Sequence, residues 1–123
     1  MSPERIRILG ICASPRKGNS LFLLKKSLEA LKRLPNSEKI EVEQVDFKNL
    51  KMTPCTSCEG CAKTKGECVI QDGFQGLRNQ WVRADIVIYS VPVYHLGIPV
   101  QLKCFICRLG NSQRKVYSVP SPR

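Results

Sequence analysis

The residues with the clearest chemistry are four cysteines. Cys55-x2-Cys58-x2-Cys61-x6-Cys68 places three thiols within seven residues and returns a fourth after a span that contains Gly66. Soft thiolates favour iron-sulfur clusters and zinc, and two successive C-x2-C steps suit four ligands wrapped around a [4Fe-4S] cluster. Zinc is the competing metal, because four cysteines also close a tetrahedral structural site, although zinc frameworks usually separate two C-x2-C knuckles by a longer interval. A third reading leaves these thiols free or disulfide-forming, without metal. The remaining cysteines, Cys12, Cys104 and Cys107, are expected to pack in the core or against helices and are not assigned as ligands.

A second group is Ser14-Pro15-Arg16-Lys17-Gly18-Asn19-Ser20. Between a strand and a helix, such a loop gathers hydroxyls, backbone amides, positive side chains and a helix N-terminus, which together attract a phosphate. It lacks the Gly-Lys-Ser/Thr ending of a Walker A loop, and Gly10-Ile11-Cys12 does not start a G-x-G-x-x-G fingerprint. The alternative is structural: Pro15 and Gly18 make a tight turn while Asn19 or Ser20 caps the helix. A third loop, Pro92-Val93-Tyr94-His95-Leu96-Gly97, follows the most apolar run in the chain.

These loops need regular elements to position them. Ile6, Ile8, Leu9 and Ile11 form a short apolar run that reads as a buried first strand over Arg5 to Ala13. Leu21, Leu24, Leu28 and Leu31 recur at helical spacing until Pro35 and Asn36 break the pattern. Lys39 to Phe47 alternates imperfectly, as an edge strand does. Asp72 and Gln75 form a capping box for a helix carrying Phe74, Leu77 and Trp81. Ala84 to Val93 is apolar on both faces, as in the interior of a parallel sheet. Pro99 is expected in the first turn of a last helix bearing Val100, Leu102, Phe105, Ile106 and Leu109, which Gly110 ends. Lys115 to Val119 is left as a candidate fourth strand. Strands alternating with helices predict a doubly wound α/β sheet, with ligands at the carboxyl ends of its strands.

Length and composition limit the rest. The 123 residues, 42% hydrophobic and 24% charged, fit a single domain over 1–123, with a cysteine-rich insertion at about 52–70. No run approaches the roughly 18 apolar residues of a membrane span, and Met1 to Arg7 has no signal-like apolar stretch, so a cytoplasmic location is expected. The 20 Lys+Arg against 10 Asp+Glu give a net charge of +10, which attracts anionic cofactors or acidic proteins. The basic residues are dispersed and no aromatic row accompanies them, which reads as a solvated surface and not as a nucleic-acid site.

The run Gly10 to Ser20, with Pro92-Val93-Tyr94 after the third strand, resembles the NADPH-dependent FMN reductase-like branch of the flavodoxin-like proteins. With Cys55, Cys58, Cys61 and Cys68 added, it is similar to the iron-sulfur flavoproteins within that branch. The cysteine run departs from that of bacterial ferredoxins in its longer last gap and in Val69 where those have proline. The resemblance implies that Ser14, Arg16, Lys17, Gly18, Asn19 and Ser20 hold the FMN phosphate. It also implies that Pro92, Val93, Tyr94, His95 and Leu96 lie against the isoalloxazine ring, where Tyr94 or His95 stacks or hydrogen-bonds. The implied activity is an FMN oxidoreductase exchanging electrons with a [4Fe-4S] cluster, with NAD(P)H or a ferredoxin-like protein as donor and a homo-oligomer as the assembly. Members of such families run further than Arg123 and complete a five-stranded sheet, so the flavodoxin-like sheet expected here is shortened at its C-terminal side.

Overall fold

A computed structural model describes residues 5–116, with side chains as far as Ser112. Strand β1 (Ile6–Cys12) leads into helix α1 (Asn19–Leu31), and β2 (Ile40–Asp46) follows. The segment after β2 holds the short helix α2 (Gly60–Lys63) and ends at α3 (Gly73–Arg83); β3 (Ile86–Ser90) and α4 (Val100–Val116) complete the described order. The sheet runs β2-β1-β3 with both pairings parallel. The parallel α/β arrangement and the edge position of β2 are therefore as expected. β3 is shorter than Ala84 to Val93 and forms the other edge among the described residues, leaving Ile86 and Tyr89 exposed.

The alternation of β1 sorts the core into two layers. Ile8 and Cys12 face α1 through Leu21, Leu24 and Leu28, whereas Leu9, Ile11 and Ala13 face Phe47, Phe74, Leu77, Leu102 and Phe105. Gly10 belongs to the α1 face, where an added Cβ would stand 3.0 Å from a Leu28 methyl and 3.1 Å from one of Leu24. The missing side chain is what lets α1 lie so close to the sheet. Phe105 is wholly buried with its ring centroid 5.8 Å from that of Phe74. Removing a ring of this size from water contributes about 1.5–3 kcal/mol.

Three helix ends differ from expectation or refine it. No side chain caps α1: Gly18 stands at its N-cap, so neither Asn19 nor Ser20 has that role. The Asp72–Gln75 capping box is present, with the Phe74 amide donating to Asp72 and the Asp72 amide donating to Gln75 Oε1, each at 3.0 Å. Gly110 does not end α4, which continues to Val116 and so takes up Lys115 and Val116 of the candidate fourth strand. The physical reason is the position of Gly110 on the open side of the helix, where an added Cβ would meet nothing within 4 Å, while Arg108 and Ser112 on either side are buried. A glycine there costs about 1 kcal/mol of helix propensity, which packing of its neighbours outweighs. The rest of the candidate strand lies outside the described residues. Pro99 is buried and precedes α4, its carbonyl accepting from the Lys103 amide at 3.1 Å.

Candidate functional site

The strand register brings the three candidate loops to one edge of the sheet. Cys12 pairs with Asp46 on one side and with Ser90 on the other, so β1, β2 and β3 all end at the same level. The chain leaving each of those ends carries, in turn, Ser14 to Ser20, the cysteines, and Pro92 to Leu96. A ligand groove is expected at that edge in an open parallel sheet.

The first loop is tied to its neighbours by backbone and hydroxyl contacts. The Ala13 amide donates to the Ser90 carbonyl at 3.0 Å, and the Ser90 hydroxyl donates to the Ser20 carbonyl at 2.7 Å. Ser14 is buried and its hydroxyl accepts from the Arg16 amide at 3.2 Å, which turns the chain outward. Arg16, Lys17 and Asn19 are exposed, with Gly18 and Ser20 half-buried. The Arg16 guanidinium lies over Gly18, 3.6 Å from where a Cβ would be. Two cations thus stand before the uncapped N-terminus of α1, where the helix dipole also favours an anion.

The third loop contains a tight turn that the sequence did not suggest. Tyr94 and Gly97 exchange both backbone hydrogen bonds, at 2.9 and 3.0 Å, and the two residues between them, His95 and Leu96, have φ of 46° and 63°. Positive φ at both central positions is the type I′ geometry, usually signalled by Asn-Gly or Gly-Gly. Here a histidine and a leucine occupy it, and Leu96 is 95% exposed beside exposed Val93 and Tyr94. Pro92 is half-buried at the end of β3.

The cysteine segment is irregular but anchored. Ser57, Glu59 and Lys65 take left-handed backbone, and the Gly66 amide donates to the Cys61 carbonyl at 2.7 Å. Gly60 must be small, because a Cβ would come within 2.7 Å of the Val69 side chain. Cys55, Cys58, Cys61 and Cys68 all line one small cleft of about 30 Å³, partly open to solvent, which Val69, Ile70, Arg108 and Asn111 help to close. Among the described residues no three His, Cys, Asp or Glu side chains stand close enough to hold a single metal ion. The sulfurs share a cavity without meeting at one point. Cys12 and Cys104 are buried away from it, and burial pushes both thiols up.

Helix α4 supplies residues that sequence reasoning missed. Arg108 is buried, yet it donates to Asp72 through Nη1 at 2.7 and 2.8 Å, to the Thr53 carbonyl at 3.1 Å, and through Nη2 to the Ile70 carbonyl at 2.8 Å. The same Nη2 donates to Cys68 Sγ at 3.5 Å, and the guanidinium carbon stands 4.5 Å from the Phe74 ring centroid. Burial opposes ionisation of Asp72, but Arg108 and the amides of Phe74 and Thr53 outweigh it and hold the carboxyl below its ordinary value. One turn on, Asn111 Nδ2 donates to Cys55 Sγ at 3.3 Å, and its carbonyl accepts from Cys61 Sγ at 3.9 Å. The Ser57 amide also donates to Cys55 Sγ at 3.4 Å; this bond and then the Asn111 contact lower the Cys55 thiol. The available signal was a lone arginine within the apolar run Leu102 to Leu109, placed on its buried face.

In type, though not in their present separation, the donors are those a cluster uses. Four thiols face one partly closed cavity, N–H groups already point at two of the sulfurs, and the buried Arg108 Nε has no hydrogen-bond partner. In the fold itself the chain is similar to an azoreductase from Bacillus anthracis, with a TM-score of 0.63 and 20% identity over 85% of this chain and 55% of that one. In sequence it is 41% identical over 105 residues to an iron-sulfur flavoprotein of Archaeoglobus fulgidus, covering 85% of this chain and 46% of the relative. It is 33% identical over 104 residues to one from Methanocaldococcus jannaschii, covering 84% and 51%. The chain thus spans about half the length of the curated relatives it matches. Because the sequence model for NADPH-dependent FMN reductase matches residues 6–118, loops and sheet included, the chain belongs to that family.

Proposed function

We propose that this chain acts in an FMN-dependent oxidoreductase that exchanges electrons between FMN and a [4Fe-4S] cluster bound by Cys55, Cys58, Cys61 and Cys68. The observation that carries the cluster is that those four side chains line the same cleft. Membership of the FMN reductase family and the names of the iron-sulfur flavoprotein relatives support FMN and the cluster as the pair.

Ser14, Arg16, Lys17, Gly18, Asn19 and Ser20 hold the phosphate in this reading, by charge and by the first-turn amides of α1. Pro92, Val93, Tyr94, His95 and Leu96 form the wall against the ring, and covering it would remove exposed Val93 and Leu96 from water. When bound, FMN supplies hydride and one-electron chemistry that no side chain can perform. The protein's part is to fix the phosphate, shield the ring and hold the thiolates. NAD(P)H or a ferredoxin-like protein is the donor, drawn by the net charge of +10, and a homo-oligomer in the cytoplasm is the working form.

An anaerobic absorption spectrum of the purified chain, with iron, sulfide, zinc and released FMN quantified, tests this. Flavin bands together with about four irons per chain are expected. Zinc alone would replace the reading with a metal-stabilised interaction module, and FMN without metal would reduce it to a flavin reductase with a structural cysteine loop.

A further inference from the structure

The geometry points to Arg108 and Asn111 as positioning residues that set the reduction potential of the cluster by donating hydrogen bonds to the sulfurs of Cys68 and Cys55. This rests on the cluster proposed above.

The two residues are three apart on α4, so they share a helix face, and both line the cysteine cavity. Each reaches one cysteine sulfur through a side-chain N–H, Arg108 at 3.5 Å and Asn111 at 3.3 Å. The Arg108 contact is held by further partners. Arg108 is locked by Asp72, Thr53 and Ile70, and Asn111 extends from the same helix one turn later. Reduction of a thiolate-bound cluster adds negative charge that spreads onto its sulfurs, and donors aimed at those sulfurs stabilise the reduced form. A cation and an amide in a partly closed cavity therefore raise the potential. Both donors come from a helix that lies 40 and 56 residues further along the chain than the cysteines they reach.

Asn111→Leu and Asn111→Asp test this in the cluster-loaded protein, with Arg108→Gln as a third variant. Asn111 is only half-buried, so the first two are expected to keep the fold even where the Arg108 change does not. The readout is the midpoint potential from a redox titration followed by electron paramagnetic resonance, at confirmed equal iron and sulfide content. The expected order is wild type highest, Asn111→Leu lower and Asn111→Asp lowest, since leucine removes the donor and aspartate replaces it with a negative acceptor. A purely structural role for Asn111 would not separate leucine from aspartate in that order. Equal potentials in loaded wild type and both Asn111 variants would overturn the inference while leaving the cluster in place. Absence of iron and sulfide from the wild-type chain would instead overturn the proposed function, and this inference with it.

Discussion

The cysteine segment and the Tyr94–Gly97 turn both hold non-glycine residues in left-handed backbone: Ser57, Glu59 and Lys65 in one, His95 and Leu96 in the other. They differ in what keeps them there. Arg108, Asp72 and Gln75 reach across from α4 and α3 to fix the cysteine segment at Thr53, Cys68 and Ile70. The turn is closed by its own two backbone bonds and leaves its leucine in water. The difference teaches that local strain alone does not distinguish a site already organised within this chain from one that still lacks a cover. Left-handed residues of this kind persist where surrounding contacts over-determine them, and such contacts surround the cysteine segment.

The largest effect is expected where the first anchor is cut. Asp72→Ala removes both a helix cap and the counter-charge of a buried arginine, and equilibrium denaturation should register a loss of about 3–5 kcal/mol. A loss below about 1 kcal/mol, the size of a cap alone, would mean that Arg108 does not anchor the segment.

Acid should loosen the same anchor in a smaller, graded way. Asp72 titrates below its ordinary value when folded, so its contribution is complete above the unfolded value of about 3.9 and is lost as pH falls from there through the folded one. Denaturation curves collected from pH 6 down to pH 2 should show this loss in the wild type, and Asp72→Asn should flatten that part of the profile. Parallel profiles for the two proteins would break the comparison.

The smallest effect has the opposite sign. Leu96→Gly relieves a left-handed β-carbon in the turn and should stabilise the chain by about 0.5–1 kcal/mol, read as a raised denaturation midpoint. Destabilisation would mean that Leu96 is held by contacts and not merely tolerated, bringing the turn closer in kind to the cysteine segment.

Much of the fold was legible because each element carries its own periodicity. The apolar run of β1, the leucines of α1 and the Asp72–Gln75 box are local patterns, and each lies where it was expected. The cysteines were legible for the same reason, as a spacing within fourteen residues. Arg108 and Asn111 were not, since their partners lie 36 to 56 residues earlier and no local pattern encodes such pairs. The turn at His95-Leu96 escaped because its residues are the wrong ones for its geometry, and Gly110 misled because a breaker on the open face of a well-packed helix does not break it.

Asp72 gives one side chain obligations to three residues, to the Phe74 amide, to the amide and hydroxyl of Thr53, and to Arg108. Its replacement and that of Arg108 are consequently non-additive: losing either strands the other, whereas an apolar substitute for both would leave no buried charge behind. Single-step mutational routes away from this pair are steep in both directions. Replacing both together is expected to cost less than the sum of the single changes, and a library randomising one at a time would report as indispensable what is only mutually committed.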